Sequence, residues 1–205
     1  MKADEKFSSF EWGKHQLRLD AAELVKRYIQ GERNFHEVNL SGENLRNANL
    51  KHINLTGADL TGVDLSGTNL SDANLTGTNL TGANLHRANA TGSRLIWATL
   101  RGTNLECAEL VCANLSGADL RWANLNAANL SAADLSDASL EDAKLKAVIL
   151  RGANLKGTTF DLKQTGLPKQ VGLPKQTALL KQMALPELDL SWAIMPDGTR
   201  HHYHA

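Results

Sequence analysis

The chain has 205 residues, with 22 Lys/Arg against 22 Asp/Glu and no net charge. That balance leaves no overall excess of basic charge for gripping nucleic acid and no overall negative field. No apolar run is long enough to span a membrane, and the length suits one domain.

Residues 1–32 form an N-terminal segment. Its start, MKADEKFSSFEWGKHQ, has no apolar run suited to a signal peptide, so a cytoplasmic location is expected. Phe7, Phe10 and Trp12 are too apolar for a purely disordered tail and suggest packing on the end of the domain that follows. Asp20-Ala21-Ala22-Glu23 has the spacing of a capping box, with Leu19 and Leu24 placed as a hydrophobic staple. Leu24, Val25, Tyr28 and Ile29 make one apolar stripe, and Gly31 is a helix stop. A capping helix is predicted over about 21–30.

From Phe35 to Phe160 every fifth residue is large and apolar, with one exception. The series holds 26 positions: 23 Leu, two Phe and Ala90. Two residues before each stands a small residue, and one before it usually Asn or Asp. A helix repeats at 3.6 and a strand at 2, so a period of five fits neither. Fixed-period self-similarity signals a stacked repeat whose units bury apolar side chains only against neighbours. Within Ala58-Asp59-Leu60-Thr61-Gly62, positions 58 and 60 face inward, and Gly62 lets the chain bend through positive φ. Ala90 interrupts the Leu70–Leu110 column. A Leu-to-Ala gap costs about 2–5 kcal/mol, so a neighbour or a local distortion is expected to fill it.

The consensus (Ala/Thr/Val)-(Asn/Asp)-Leu-(Ser/Thr/Arg/Lys)-Gly, as in TGADLTGVDLSGTNLSDANLTGTNLTGANL over 56–85, resembles the pentapeptide-repeat family. The likeness covers roughly 33–161. It implies an all-β solenoid, a right-handed quadrilateral β-helix with four pentapeptides per coil. On that coil size the 26 repeats make 6–7 coils beneath the N-terminal helical cap.

Residues 162–187 carry a hexad-like pattern, GLPKQV, GLPKQT, ALLKQM and ALPELD. Pro168, Pro174 and Pro186 exclude one continuous helix. A flexible loop and a short helix over Gln176–Ala184 covering the last coil are the two readings. In 188–205, Leu190 and Met195 are again five apart with Ala193 between, as a final partial coil requires, followed by a polar tail. The ending AIMPDGT resembles the close of many cyanobacterial members of the family.

No catalytic constellation is visible. His36, His52 and His86 fall on three different sides. Cys107 and Cys112 occupy outward positions on successive sides, which disfavours a disulfide, and as a metal pair they lack His or Cys companions nearby. His201, His202 and His204 read as a polar tail. No cofactor, no metal and no enzymatic activity are expected.

The repeat degenerates over 93–112. Arg94, Thr99 and Glu109 replace the usual Asn/Asp, and Ile96, Trp97, Val111 and both Cys stand at outward positions. Adding 20 moves one coil up a column. Gly77 and Gly117 then flank Trp97, and Gly102 lies beneath Trp122, leaving room for each indole to lie flat. Arg101 and Arg121 stack one coil apart, followed by Glu141 and Asp161. Trp97, Arg101, Arg121 and Trp122 thus share one side, and these are residue types enriched at binding hot spots.

The leading reading is a non-enzymatic scaffold for protein–protein recognition, through this side or by homodimerisation across it or through the coil ends. The family resemblance adds that cyanobacteria carry many such proteins, at least one regulating heterocyst differentiation through protein contacts. The alternative is a DNA-mimicking, gyrase-protecting protein, as some family members are. Residues 33–161 hold 11 Lys/Arg against 13 Asp/Glu, too near neutrality for that mimicry. Neither nucleic acid nor membrane is an expected partner.

Overall fold

The computed structural model describes residues 17–159 and 192–200. Phe7, Phe10 and Trp12, the 162–187 segment read as either a loop or a short helix over Gln176–Ala184, Asp161, Leu190 and the histidine tail lie outside the described residues.

Parallel bridges link residues twenty apart along the rod, from Asn34↔Asn54 and Asp59↔Asn79 to Ser139↔Thr159. Four pentapeptides therefore make one coil, and each coil has four corners. Each side contributes one bridging residue rather than a strand of several, because a corner follows every fifth residue. The ladder is a β-helical solenoid one bridge wide on each side.

The repeat satisfies its own backbone. In the 58–62 unit, the Ala58 N–H donates to Leu55 O across the corner at 2.9 Å. The Asp59 N–H donates to Val38 O in the coil below, at 2.9 Å. The Leu60 and Gly62 N–H groups donate to Asn79 O and Thr81 O in the coil above, at 2.8 and 3.0 Å. Thr61 is left over, and its N–H and hydroxyl both donate to Asp59 Oδ1, at 3.0 and 2.6 Å. Asn or Asp before the Leu and Ser or Thr after it are thus the acceptor and donor that close each corner.

The interior is Leu at the central position with Ala, Val, Ile or Thr two before it, nearly all of it fully buried. Each buried Leu is worth about 1.5–3 kcal/mol of transfer free energy. Of the two outcomes expected at Ala90, a neighbour filling the gap or a local distortion, the backbone shows no distortion. Its N–H donates to Glu109 O at 2.7 Å and its carbonyl accepts from the Ser93 N–H at 3.1 Å, so the ladder passes through in register. The backbone is held on both sides by its neighbours, and one missing side chain does not bend it.

Helix α1, Ala21–Ile29, closes the N-terminal end. The Asp20 side chain accepts from the Glu23 N–H at 2.7 Å. Glu23 does not return the bond that a full capping box makes; its carboxylate pairs instead with Lys26 Nζ at 3.1 Å. Glu43, in the first coil, accepts from the Ala21 N–H at 3.0 Å and ties the helix start to the rod. The helix ends with Gly31 at φ +99°, with the Glu32 N–H on Arg27 O and the Gly31 N–H on Tyr28 O. Leu24 is fully buried, and Val25 and Tyr28 pack on the core.

At the other end Asn154 bridges Ile194, forty residues on rather than twenty. Ala193 and Met195 are fully buried, and Ile194 then bridges Arg200 in antiparallel fashion, turning the chain back on itself.

Candidate functional site

Trp97 and Trp122 stand at the left-handed position of two neighbouring corners, at φ 56° and 59°. They flank one side of the rod and are 57 % and 54 % exposed. Corner side chains lean toward the C-terminal end. Glu37 covers Gly57, Asn47 covers Gly67, Asp72 covers Gly92, Trp97 covers Gly117 and Asp137 covers Gly157. These corners share one backbone conformation, so they share one side-chain direction.

That lean corrects the expected seats of the indoles. Trp97 lies on Gly117, against which its six-membered ring presses, while nothing comes near a Cβ built on Gly77. The space over Gly102 is likewise open, so Gly102 does not seat Trp122. The residue one coil above Trp122 is Asp142, which offers no bare backbone to lie on. Trp122 instead carries two guanidinium groups, with Arg101 Cζ 5.2 Å and Arg121 Cζ 5.8 Å from its ring centroid.

Asp119 organises both arginines. Arg121 makes a two-pronged contact, Nε to Oδ1 at 2.8 Å and a terminal nitrogen to Oδ2 at 2.6 Å. Its backbone N–H also donates to Oδ1 at 3.2 Å, the ordinary corner bond of the repeat. Arg101 belongs to the coil below, where Thr99 stands in place of the Asn or Asp that would accept from it. Its side chain reaches up one coil instead, placing Nε 2.9 Å from Asp119 Oδ2. That nitrogen is buried but its N–H is not aimed at the oxygen, so the contact is an ion pair without a formed hydrogen bond.

Charge follows geometry. Burial pushes the Asp119 carboxyl up, but hydrogen bonds from Arg121 and the charges of Arg121 and Arg101 outweigh it and hold it below the usual carboxylate range. The Arg121 guanidinium is raised in turn, chiefly by its bond to Asp119.

The structure therefore brings Trp97, Arg101, Arg121 and Trp122 to one side, with Asp119 between them. Asp119 escaped the sequence reading because an Asp before the Leu is what the repeat asks for everywhere. The usable signal was positional: Asp119 stands twenty residues after the aberrant Thr99 and two before Arg121. Ile96 and Val111 are half-buried, and Cys107 and Cys112 are free thiols at separate corners. His36 lies 3.2 Å from Asn34 Oδ1 and His52 lies 3.7 Å from Asp72, on different sides. Among the described residues there is no group of three or more His, Cys, Asp or Glu suited to a metal ion. Among them, too, no helix is long and apolar enough to cross a membrane.

Comparison with known proteins follows the same repeat. The family described as pentapeptide repeats matches in eight copies, over 34–72, 68–106, 93–126, 113–152 and 123–161. No curated protein matches the chain. HetL from the cyanobacterium Nostoc sp. strain PCC 7120, a pentapeptide repeat protein involved in regulating heterocyst differentiation, is 28% identical. The match covers 89% of this chain and 100% of HetL, with TM-score 0.29. A pentapeptide repeat protein from the thylakoid lumen of Arabidopsis thaliana is 30% identical, over 58% of this chain and 76% of its own, with TM-score 0.29. The plasmid-mediated fluoroquinolone resistance protein QnrB1 is 15% identical, over 83% and 98%, with TM-score 0.42. Pentapeptide repeats build right-handed β-helical solenoids, and with the family matched from residue 34 to 161 this chain belongs to the pentapeptide repeat family.

Proposed function

We propose that the protein is a non-enzymatic scaffold in the cytoplasm whose Trp97–Trp122 side docks a protein partner. The observation that carries this reading is the pair of indoles, each more than half exposed, on adjacent corners of one flat side. Two arginines held by Asp119 lie beside one of them. Most corners of this rod carry Gly, Ala, Asn or Asp, so two Trp on one side depart from the repeat's polar skin. Exposed Trp and Arg in fixed orientations supply binding energy at low ordering cost. The non-enzymatic reading is supported by how the residues are spent: inward ones fill the core, and an Asn or Asp before the Leu closes its corner, as at Asp59 and Asp134. The free thiols of Cys107 and Cys112 suit a reducing compartment.

The test is affinity capture from the native host with the wild type and a Trp97→Ser/Trp122→Ser double variant. Proteins retained by the wild type are expected to be absent from the variant at unchanged circular dichroism. Identical captured sets, together with identical sizing profiles, would end this reading. A supercoiling assay with gyrase covers the DNA-mimic alternative, which the neutral charge does not favour.

A further inference from the structure

We propose that Arg101 is a carboxylate-binding residue, and that the segment docking on the Trp97–Trp122 side is an acidic one that seats an Asp or Glu against it. The proposal rests on the docking reading above and names the chemistry of the partner.

Arg101 and Arg121 look alike in sequence but are used differently. Arg121 spends Nε and one terminal nitrogen on Asp119. Arg101 brings only its buried Nε close to Asp119, as an ion pair without a hydrogen bond, and lies over the Trp122 ring. Its two terminal nitrogens have no acceptor among the described residues, and its side chain is 38 % exposed although Nε is not. The exposed part is therefore the terminal edge. A guanidinium that lies over an indole, with its Nε buried against a carboxylate, presents its terminal N–H groups outward. That fork matches the two oxygens of a carboxylate.

The surrounding charges narrow the ligand. Two arginines face Asp119, and Glu141 one coil above acts on Arg121, so the side carries no net charge and a ligand is held by the terminal nitrogens of Arg101 themselves. A doubly charged phosphate would be repelled by Asp119 and Glu141 more strongly than a single carboxylate. Nucleic acid would need a longer basic track, and this column instead continues to Glu141. Trp97, lying on Gly117 at the far edge, offers an apolar surface to the residues flanking the acid.

The experiment selects a random dodecapeptide display library on the full-length protein, with counter-selection on the folded Trp97→Ser/Trp122→Ser variant. Enriched peptides are expected to carry an Asp or Glu next to an apolar residue. Affinity, measured by titration calorimetry with synthetic peptides, should fall at least tenfold when that acid becomes Asn or Gln. It should fall similarly with Arg101→Gln and stay unchanged with Arg46→Gln on another side. The peptide substitution gives the answer even where Arg101→Gln perturbs folding. Enriched peptides without an acid, or indifferent to both changes, overturn the carboxylate assignment and leave the docking side standing. An absence of any peptide dependent on the indoles overturns both. Doubling of the mass with concentration, lost in the Trp variant, would make the occupant a second copy of this chain and also overturn the proposal.

Discussion

Trp97 and Gly117 are twenty residues apart in sequence and in direct contact in space: the indole lies on the backbone that Gly117 leaves bare. A side chain at 117 would collide with that ring, whereas one at Gly102 would meet nothing within 4 Å. Both glycines hold nearly the same left-handed conformation, at φ +66° and +61°.

Gly102→Ala therefore isolates the conformational cost, about 1–2 kcal/mol at most. The rod accepts Ala in this conformation at 127 and 132. Gly117→Ala adds the collision and should cost about 1–2 kcal/mol more. Urea denaturation of the two variants gives the difference. Trp97 emission in Gly117→Ala, read against a Trp97→Phe control, should shift to the red as the ring lifts. Equal costs with no shift would mean that the indole does not rest on Gly117.

Asp119→Asn keeps the acceptor that closes the corner and removes only the charge facing Arg101 and Arg121. The folded protein holds Asp119 below its unfolded value of about 3.9, so its contribution is complete above that pH. The contribution is lost as pH falls through the folded value. Partial exposure keeps it small, about 0.5–1.5 kcal/mol. Denaturation at pH 7 should separate wild type from Asp119→Asn by that amount, and the gap should close below the carboxylate range. A gap that widened in acid would contradict the ion-pair assignment.

Ala90→Leu restores the column between Leu70 and Leu110. The backbone at 90 already holds the register of a Leu site, so the added side chain needs no rearrangement of the ladder. A gain of about 1–2 kcal/mol is expected, as a higher denaturation midpoint at unchanged slope. A loss would mean that neighbours already fill the space.

Two buried hydroxyls should respond oppositely. Thr103 Oγ1 donates to Leu80 O at 2.7 Å, so Thr103→Val should cost about 1 kcal/mol although it preserves shape. Ser93 Oγ is buried without a partner, so Ser93→Ala should be neutral or stabilising. Thermal denaturation of both variants decides the pair. A destabilised Ser93→Ala would mean that the hydroxyl has a partner, such as a bound water.

The repeat was legible because five-residue spacing, small residues two before each Leu and Asn or Asp one before it all act locally. Asp59 and Thr61 close their corner within one unit. The coil size was not legible from residues, since a period of five says how often the chain turns and not how many turns make a circuit. It came with the family likeness, and the Asp59↔Asn79 bridge fixes it. Side membership of Trp97, Arg101, Arg121 and Trp122 followed from that number. What joins them did not. The lean of corner side chains is a property of the left-handed backbone, so neither Gly102 nor Gly77 serves as a seat. Arg101 reaches Asp119 because Thr99 deprives it of a partner in its own coil, a consequence visible only once coils are stacked.

The bridge from Asn154 to Ile194 has a consequence for how such chains change over time. Ile194 occupies the rung that a residue twenty positions on would otherwise take, and Leu155 and Gly157 donate to Ile194 and Pro196 as they would to any next coil. A rung thus recognises the local shape of its neighbour and not its distance along the gene. Any corner is then a point where foreign sequence can be spliced in, provided the returning chain again offers a small residue two before an apolar one, as Ala193 and Met195 do. Such a rod can acquire new surface at its corners while its thread stays unbroken.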